Sequence, residues 1–251
     1  MFKGFYQLTS AMLSQGRRLD VVSHNMTNIS TAGYKLDRYT DSTFQDVLIS
    51  RVGNKNKAVS TEMGEETYIL APSELVTDFT QGSMEETTLP LDFAIIGDGF
   101  FAIDRDGDVA YTRNGSFNLD DEGYLCLWGQ GRVLNSEGQP IQLPTDHIYV
   151  NKLGEIYTEA DRNYLGTLGI YATENTEDLE RNEYGLFTGG NFQLSENYEI
   201  RHRMVERSNV NMVEEMVLMM SSQRALQSAA QMSKIYDAVM SKATTELGRM
   251  G

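Results

Sequence analysis

Asp104-Arg105-Asp106-Gly107-Asp108 comes nearest to a residue pattern with recognised chemistry. Carboxylates at alternate positions can surround a hard cation, but a calcium loop of the EF-hand type needs glycine sixth and a bidentate glutamate twelfth. Here glycine comes fourth, and the twelfth position is Gly115. The run reads instead as a solvated hairpin turn, and so does Asp120-Asp121-Glu122. Gly97-Asp98-Gly99 and Gly129-Gln130-Gly131 lack the third glycine and the helix start of a dinucleotide site. There is no Gly-x-Ser-x-Gly elbow. His24, His147 and His202 share no ligand spacing. Cys126 is the single cysteine, so it can form no internal disulfide and no metal site alone; it packs as a small strand hydrophobe. The expectation is a non-enzymatic protein with no cofactor, no metal and no catalytic residue.

Hydrophobic periodicity is more informative. Phe5, Leu8, Met12, Gln15, Leu19, Val22, Met26 and Ile29 step alternately by three and four, a heptad seam interrupted only at Gln15. The spacing predicts a helix that stops at Ser30-Thr31-Ala32-Gly33, with Gly33 in a left-handed C-terminal position. A second helix is predicted from about Asn211 to Leu247. Leu218, Ser222, Ala225, Ala229, Met232, Tyr236, Val239 and Ala243 form its seam. Val210, Val213, Val217 and Met220 make a second stripe, and Met212, Met216 and Met219 widen it. A helix apolar on more than one side is buried among several others. Ser208-Asn209 is the expected N-cap region.

Between the helices, short β-type runs alternate with turn signals at the spacing of an antiparallel sandwich or barrel-like domain. The runs are Glu66–Leu70, Asp92–Ile96, Phe100–Asp104, Val109–Arg113, Ser116–Leu119, Tyr124–Trp128, His147–Val150, Glu155–Thr158, Leu165–Ala172 and Tyr198–Val205. Asn114-Gly115 is the strongest hairpin signal. Residues 36–75 read as an extended connector containing a polar loop, Gly53-Asn54-Lys55-Asn56-Lys57, and a run, Phe44–Ser50, of ambiguous type. The fold class expected is α+β: a coiled-coil assembly domain from residues 1–35 and 208–251, the connector, and an inserted antiparallel β domain over 76–207.

The net charge of −15 is concentrated in residues 36–207, which carry −18, against +3 for residues 1–35 and zero for 208–251. An acidic middle repels phosphate and anionic lipid, so neither nucleic acid nor a membrane surface is an expected partner. No apolar run reaches the roughly 18 residues of a membrane helix, so no membrane insertion is expected. Two helices cannot cover seams this wide, which implies partner chains.

Three separated motifs resemble those of the flagellar basal-body rod family, the rod and hook axial proteins. Val22-Ser23-His24-Asn25-Met26-Thr27-Asn28-Ile29-Ser30-Thr31-Ala32-Gly33-Tyr34-Lys35 is similar to its N-terminal signature. Ile96-Gly97-Asp98-Gly99-Phe100-Phe101, followed by Tyr111-Thr112-Arg113-Asn114-Gly115-Ser116-Phe117, resembles its β-domain core. Glu206-Arg207-Ser208-Asn209-Val210-Asn211, Glu214-Glu215-Met216-Val217 and Gln223-Arg224-Ala225 resemble its C-terminal signature. The resemblance implies passage through the flagellar type III export apparatus, helical homo-oligomerisation into a hollow tube, and contact with other rod and hook axial proteins outside the cytoplasmic membrane. Taking the seams and these motifs together, the residues expected at intersubunit contacts are Phe5, Leu8, Met12, Leu19, Val22, Asn25, Met26, Asn28 and Ile29 in the first helix. In the second they are Val213, Met216, Val217, Met220, Gln223, Arg224, Ala225, Met232 and Tyr236. Asn25 and Asn28 have two open readings, as local caps or as bonds to a neighbour. Gln223 and Arg224 would fix helix register. Without the resemblance, an all-β adhesin-like binding module on a dimeric coiled coil also fits the pattern.

Overall fold

The computed structural model describes residues 2–43, 46–52, 60–67, 70–105, 107–176, 178–195 and 197–249. The chain opens with helix α1 (Phe2–Thr27), followed by strands β1 (Leu36–Thr43), β2 (Asp46–Val52), β3 (Ser60–Thr67) and β4 (Leu70–Asp78). Then come β5 (Met84–Glu86), β6 (Phe93–Gly97), β7 (Phe100–Arg105), β8 (Asp108–Thr112), β9 (Asn118–Leu119), β10 (Leu125–Leu127) and β11 (Gly131–Val133). The series continues with β12 (Ile148–Val150), β13 (Glu155–Thr158), β14 (Tyr164–Thr167), β15 (Ile170–Thr173), β16 (Leu179–Arg181), β17 (Phe187–Gly189) and β18 (Phe192–Leu194). Strands β19 (Tyr198–His202) and β20 (Met204–Glu206) lead into the last element, helix α2 (Met212–Arg249). The class is α+β, as the periodicities predict.

Two compact units divide the chain. The helical unit takes residues 1–26, 37–77 and 211–251. In it, the Phe5 and Tyr236 rings lie 6.4 Å apart. The Asn25 amide reaches the Glu215 carboxylate near the start of α2. The start of α1 therefore faces the later part of α2 and its end faces the beginning, so the helices run antiparallel. The segment read as a connector contains four strands: β1 pairs with β4, and β2 pairs antiparallel with β3. Residues 44–45 of the ambiguous run and the loop at 53–57 lie outside the described residues.

The β unit takes residues 27–36 and 78–210. Its largest sheet has the path β16-β17-β8-β7-β11-β10-β9, with β15 also pairing β7 and β18. A three-stranded sheet, β12-β13-β14, and the pairs β19-β6 and β20-β5 complete it. One apolar core joins Phe93 and Ile95 of β6, Phe101 and Ile103 of β7, Leu125 of β10, Ile156 of β13, Ile170 of β15 and Ile200 of β19. Strand β7 is buried over Phe100–Ile103, as a central strand covered on both faces must be. Edge-lying β12 alternates buried, exposed, buried.

The structure corrects several readings of detail. Helix α1 ends at Thr27, ahead of the predicted stop. The run Leu165–Ala172 is two strands parted at Leu168-Gly169, and Tyr198–Val205 is two strands parted at Arg203, whose backbone is left-handed (φ 60°). Asn114-Gly115 makes no two-residue hairpin. There the Gly115 carbonyl accepts the Phe93 N–H, and a Cβ on Gly115 would stand 1.8 Å from the Phe93 oxygen. Glycine is needed at that point for close backbone approach, not for turn chirality. The tight hairpin lies one strand earlier, between β7 and β8, with Gly107 at φ 95°.

Candidate functional site

The three sequence motifs meet at one buried ionic node in the β unit. After α1 the chain passes Gly33, Tyr34 and Lys35. Gly33 has φ 67°, and a Cβ there would lie 2.3 Å from the Arg113 carbonyl carbon, so no other residue fits. Its N–H donates to the Glu206 carbonyl at 2.7 Å. The Lys35 side chain is almost fully enclosed, and its ammonium is 2.6 Å from Glu206 Oε1. That ammonium also donates to the Thr80 carbonyl at 2.8 Å. Gly82 N–H donates to the same carboxylate oxygen. Arg113 stands on the other side, with Nη1 3.6 Å from Glu206 Oε2 and Nη2 donating to the Gly97 carbonyl. One carboxylate thus faces two buried cations. Burial pushes the Lys35 ammonium and the Arg113 guanidinium below their ordinary ranges, and the Glu206 charge acts against that shift in both.

Asn209 fastens the strand that leaves this node. Its Oδ1 accepts the Leu36 N–H at 2.8 Å, and its Nδ2 donates to the carbonyls of Asp78 and Thr80. Arg181 donates to the Lys35 carbonyl and stacks over the Tyr34 ring at 4.5 Å. Ile29, Tyr34, Leu36 and Val210 form a small apolar cluster in the same unit. The expected cap at Ser208-Asn209 is therefore displaced: Asn211 caps α2 through Oδ1 to the Val213 N–H, while Asn209 serves as this clamp.

In the helical unit, Asn25 makes the corresponding clamp on the next residue of the chain. Its Oδ1 accepts the Asp37 N–H, and its Nδ2 donates to the Asp37 carbonyl at 2.8 Å and to Glu215 Oε2 at 3.3 Å. The amide pairs with both polar groups of one residue, as a neighbouring strand would. Asn25 is therefore neither a helix cap nor open on this side. Burial raises the Glu215 carboxyl above its usual value, and the Asn25 bond opposes that. Ser14 and Arg18 both bond the Asp41 carboxylate, holding β1 to α1.

The remaining residues marked for assembly lie as follows. Val22 is buried, Tyr236 half-buried, and Leu8, Met12, Leu19 and Met26 half-buried along α1. Phe5 is partly exposed. Asn28 lies in the turn after α1 and accepts a bond from Thr31. On α2, Val213, Met216, Val217, Met220 and Met232 are exposed, Val213 at 69% and Val217 at 55%. Gln223, Arg224 and Ala225 are exposed beside them. Lys35, Arg113, Glu206 and Asn209 were quoted in motifs, but nothing in their local sequence reveals their mutual contact, because Lys35 and Glu206 are 171 positions apart.

His202 offers a solution test of the β unit. It stacks on Phe93 at 5.6 Å and its Nε2 lies 2.7 Å from the Pro90 carbonyl, so the neutral ring carries its proton on Nε2. Burial lowers its pKa from the ordinary 6.5, with Arg203 acting in the same direction and the Pro90 bond and Glu159 against. The unfolded chain then takes up a proton near pH 6.5 that the folded unit refuses until lower pH. Stability falls as pH drops through that window and levels off below the folded value. Urea titrations between pH 7 and 5 check this, and His202→Gln, which keeps an N–H donor, removes this part of the slope.

Family comparison agrees with the geometry. Residues 94–158 match the family described as the flagellar hook protein FlgE/F/G D1 domain. Residues 201–246 match the flagellar basal body rod FlgEFG protein C-terminal family. Arg113 falls in the first match and Glu206 in the second. The chain belongs to the flagellar basal-body rod protein family, a family of the flagellar basal body. It is 31% identical to the basal-body rod protein FlgG of Borreliella burgdorferi, over 90% of this chain and 91% of that one. It is 30% identical to FlgF of Mesorhizobium japonicum, over 92% and 91%. With the hook-basal body complex protein FlhO of Bacillus subtilis it shares 27% over the whole of both. Proteins named FlgG and FlgF both appear among these relatives.

Proposed function

We propose that this protein is a structural subunit that polymerises helically into the hollow axial shaft of the flagellar rod. The shaft transmits torque and passes exported subunits, and the subunit itself travels through the type III export apparatus. The helical ends build a coiled-coil inner wall with those of neighbouring copies and of other rod and hook proteins, and the β unit forms the outer layer.

The observation that carries this reading is the bare apolar surface of α2. Val213, Val217, Met220, Met232, Ile235 and Val239 are each more than half exposed even with α1 lying against the helix. Covering what remains exposed of these six side chains is worth roughly 5–10 kcal/mol gross. Association costs about 4–15 kcal/mol. One partner therefore barely suffices, and several neighbours around a tube make the contact secure. The charge distribution supports the same arrangement, since the near-neutral ends can pack closely while the acidic middle stays in solvent.

Electron microscopy of concentrated full-length protein is the direct test. The expected result is tubes, lost when residues 1–26 and 211–251 are removed; the cut at 26 spares Lys35 and the node that holds the β unit together. A discrete dimer that does not grow with concentration would favour instead the adhesin-like module on a dimeric coiled coil.

A further inference from the structure

We propose that the β unit carries a head-to-tail contact: an acidic, tryptophan-bearing tip on one copy enters an arginine-lined cleft on the next. This deepens the polymerisation proposed above and rests on it.

The cleft has a volume of about 880 Å³ and is lined by Tyr149, Tyr157, Glu159, Arg162, His202 and Arg203 among others. Arg162 (φ 51°) and Arg203 (φ 60°) are the only non-glycine residues with left-handed backbone among the described residues, and both line this cleft. At every other described position that conformation falls to glycine. A non-glycine residue there is strained, and such strain tends to collect at binding sites. Both side chains are exposed, and neither forms an ion pair or hydrogen bond among the described residues. Arg18, Arg105, Arg113, Arg132, Arg181 and Arg201 are all engaged. With Glu159 the only carboxylate in the lining and His202 kept neutral by burial, the cleft is cationic within a segment that carries −18.

The tip lies on a different sheet. Trp128, the only tryptophan of the chain, sits in the turn between β10 and β11 with 79% of its surface exposed. Arg132 at the base of that turn pairs with Asp104, which places the turn beside the β7–β8 hairpin and its exposed Asp108. Gln130 of the turn accepts from Arg105 and donates to the Tyr184 carbonyl, and Arg105 covers the Tyr184 ring at 3.4 Å. Glu183, next to Tyr184, is exposed. The turn is thus braced from two sides, with an indole projecting and carboxylates around it.

The two surfaces complement each other in charge. The indole would lie over the neighbouring Tyr149 and Tyr157 side chains, which face each other across β12 and β13, and Asp108 and Glu183 would meet the two guanidiniums. Tryptophan, tyrosine and arginine are the types that dominate interface energies. The surfaces share no residue, so the contact is heterologous, the kind that repeats into an open helical series when its rotation does not close a ring.

Trp128 reports its own contact. In full-length protein, fluorescence of the free subunit should show a solvent-exposed, readily quenched indole. On polymerisation the emission should move to the blue and quenching by acrylamide should fall several-fold. Arg162→Glu with Arg203→Glu should raise the critical concentration at least tenfold, and adding Asp108→Lys and Glu183→Lys to that chain should restore it. Tubes in which Trp128 stays as quenchable as in the free subunit overturn the contact and leave the cleft to a small anion or a saccharide. So does an unchanged critical concentration in the double arginine variant. Absence of tubes from wild-type protein removes the polymerisation reading itself, and this contact with it.

Discussion

Val217→Asp yields a protein that folds and does not polymerise. Val217 is 55% exposed, so a carboxylate at that position in the free chain meets water and costs the subunit little. Buried in an assembled seam, the same carboxylate loses the gain from covering the exposed half of valine, about 0.8 kcal/mol, and adds a desolvation penalty of several kcal/mol. Each 1.4 kcal/mol is a factor of ten in affinity, so the loss per interface is on the order of a thousandfold or more. Sedimentation and microscopy should show monomer at concentrations where wild type forms tubes, with circular dichroism and thermal melting unchanged. Leu19→Asp on α1 should also stop assembly, but Leu19 is already half-buried, so part of its effect falls on the subunit. Val217 is the cleaner probe, and tube formation by its variant at wild-type concentration would count heavily against a helix-lined wall.

Glu206→Ala acts on the opposite link, the fold of the β unit. The carboxylate answers Lys35 and Arg113, both almost completely buried, and accepts the Gly82 N–H. Its removal leaves two buried cations without a counter-charge. Breaking a buried pair by removing one partner costs about 3–5 kcal/mol. Against the 5–15 kcal/mol that holds a typical domain together, that is a large fraction. The expected result is a much lower urea midpoint. Glu206→Leu combined with Lys35→Met should recover part of the loss, because an apolar replacement for both partners leaves only Arg113 uncompensated. A loss under about 1 kcal/mol in Glu206→Ala would mean that the network is held by packing and backbone bonds, with the charges incidental.

The strands that were legible in the sequence are those whose signals are local. Glu155–Thr158 is bounded by Gly154 and a turn, and β13 occupies that span. The Arg203 break was hidden, because arginine carries no turn signal and its left-handed backbone is imposed by β19 pairing β6 and β20 pairing β5. Asn114-Gly115 misled for the converse reason. A strong hairpin dipeptide is needed there so that the backbone can pass close to Phe93, a partner that only the folded sheet supplies.

The sequence by itself determined two amphipathic helices flanking an antiparallel β domain, and the family motifs. These depend on period, turn residues and short contiguous runs, which sterics and hydrophobic burial act on within a few residues. Only the tertiary structure decided that Lys35, Arg113 and Glu206 form one node, and that Asn25 and Asn209 hold Asp37 and Leu36 and cap no helix. Such pairings join residues more than a hundred positions apart in several cases, and a side-chain amide or carboxylate has the same local pattern whether it faces water or a buried backbone group. Chain folding, by removing the water, decides which it is.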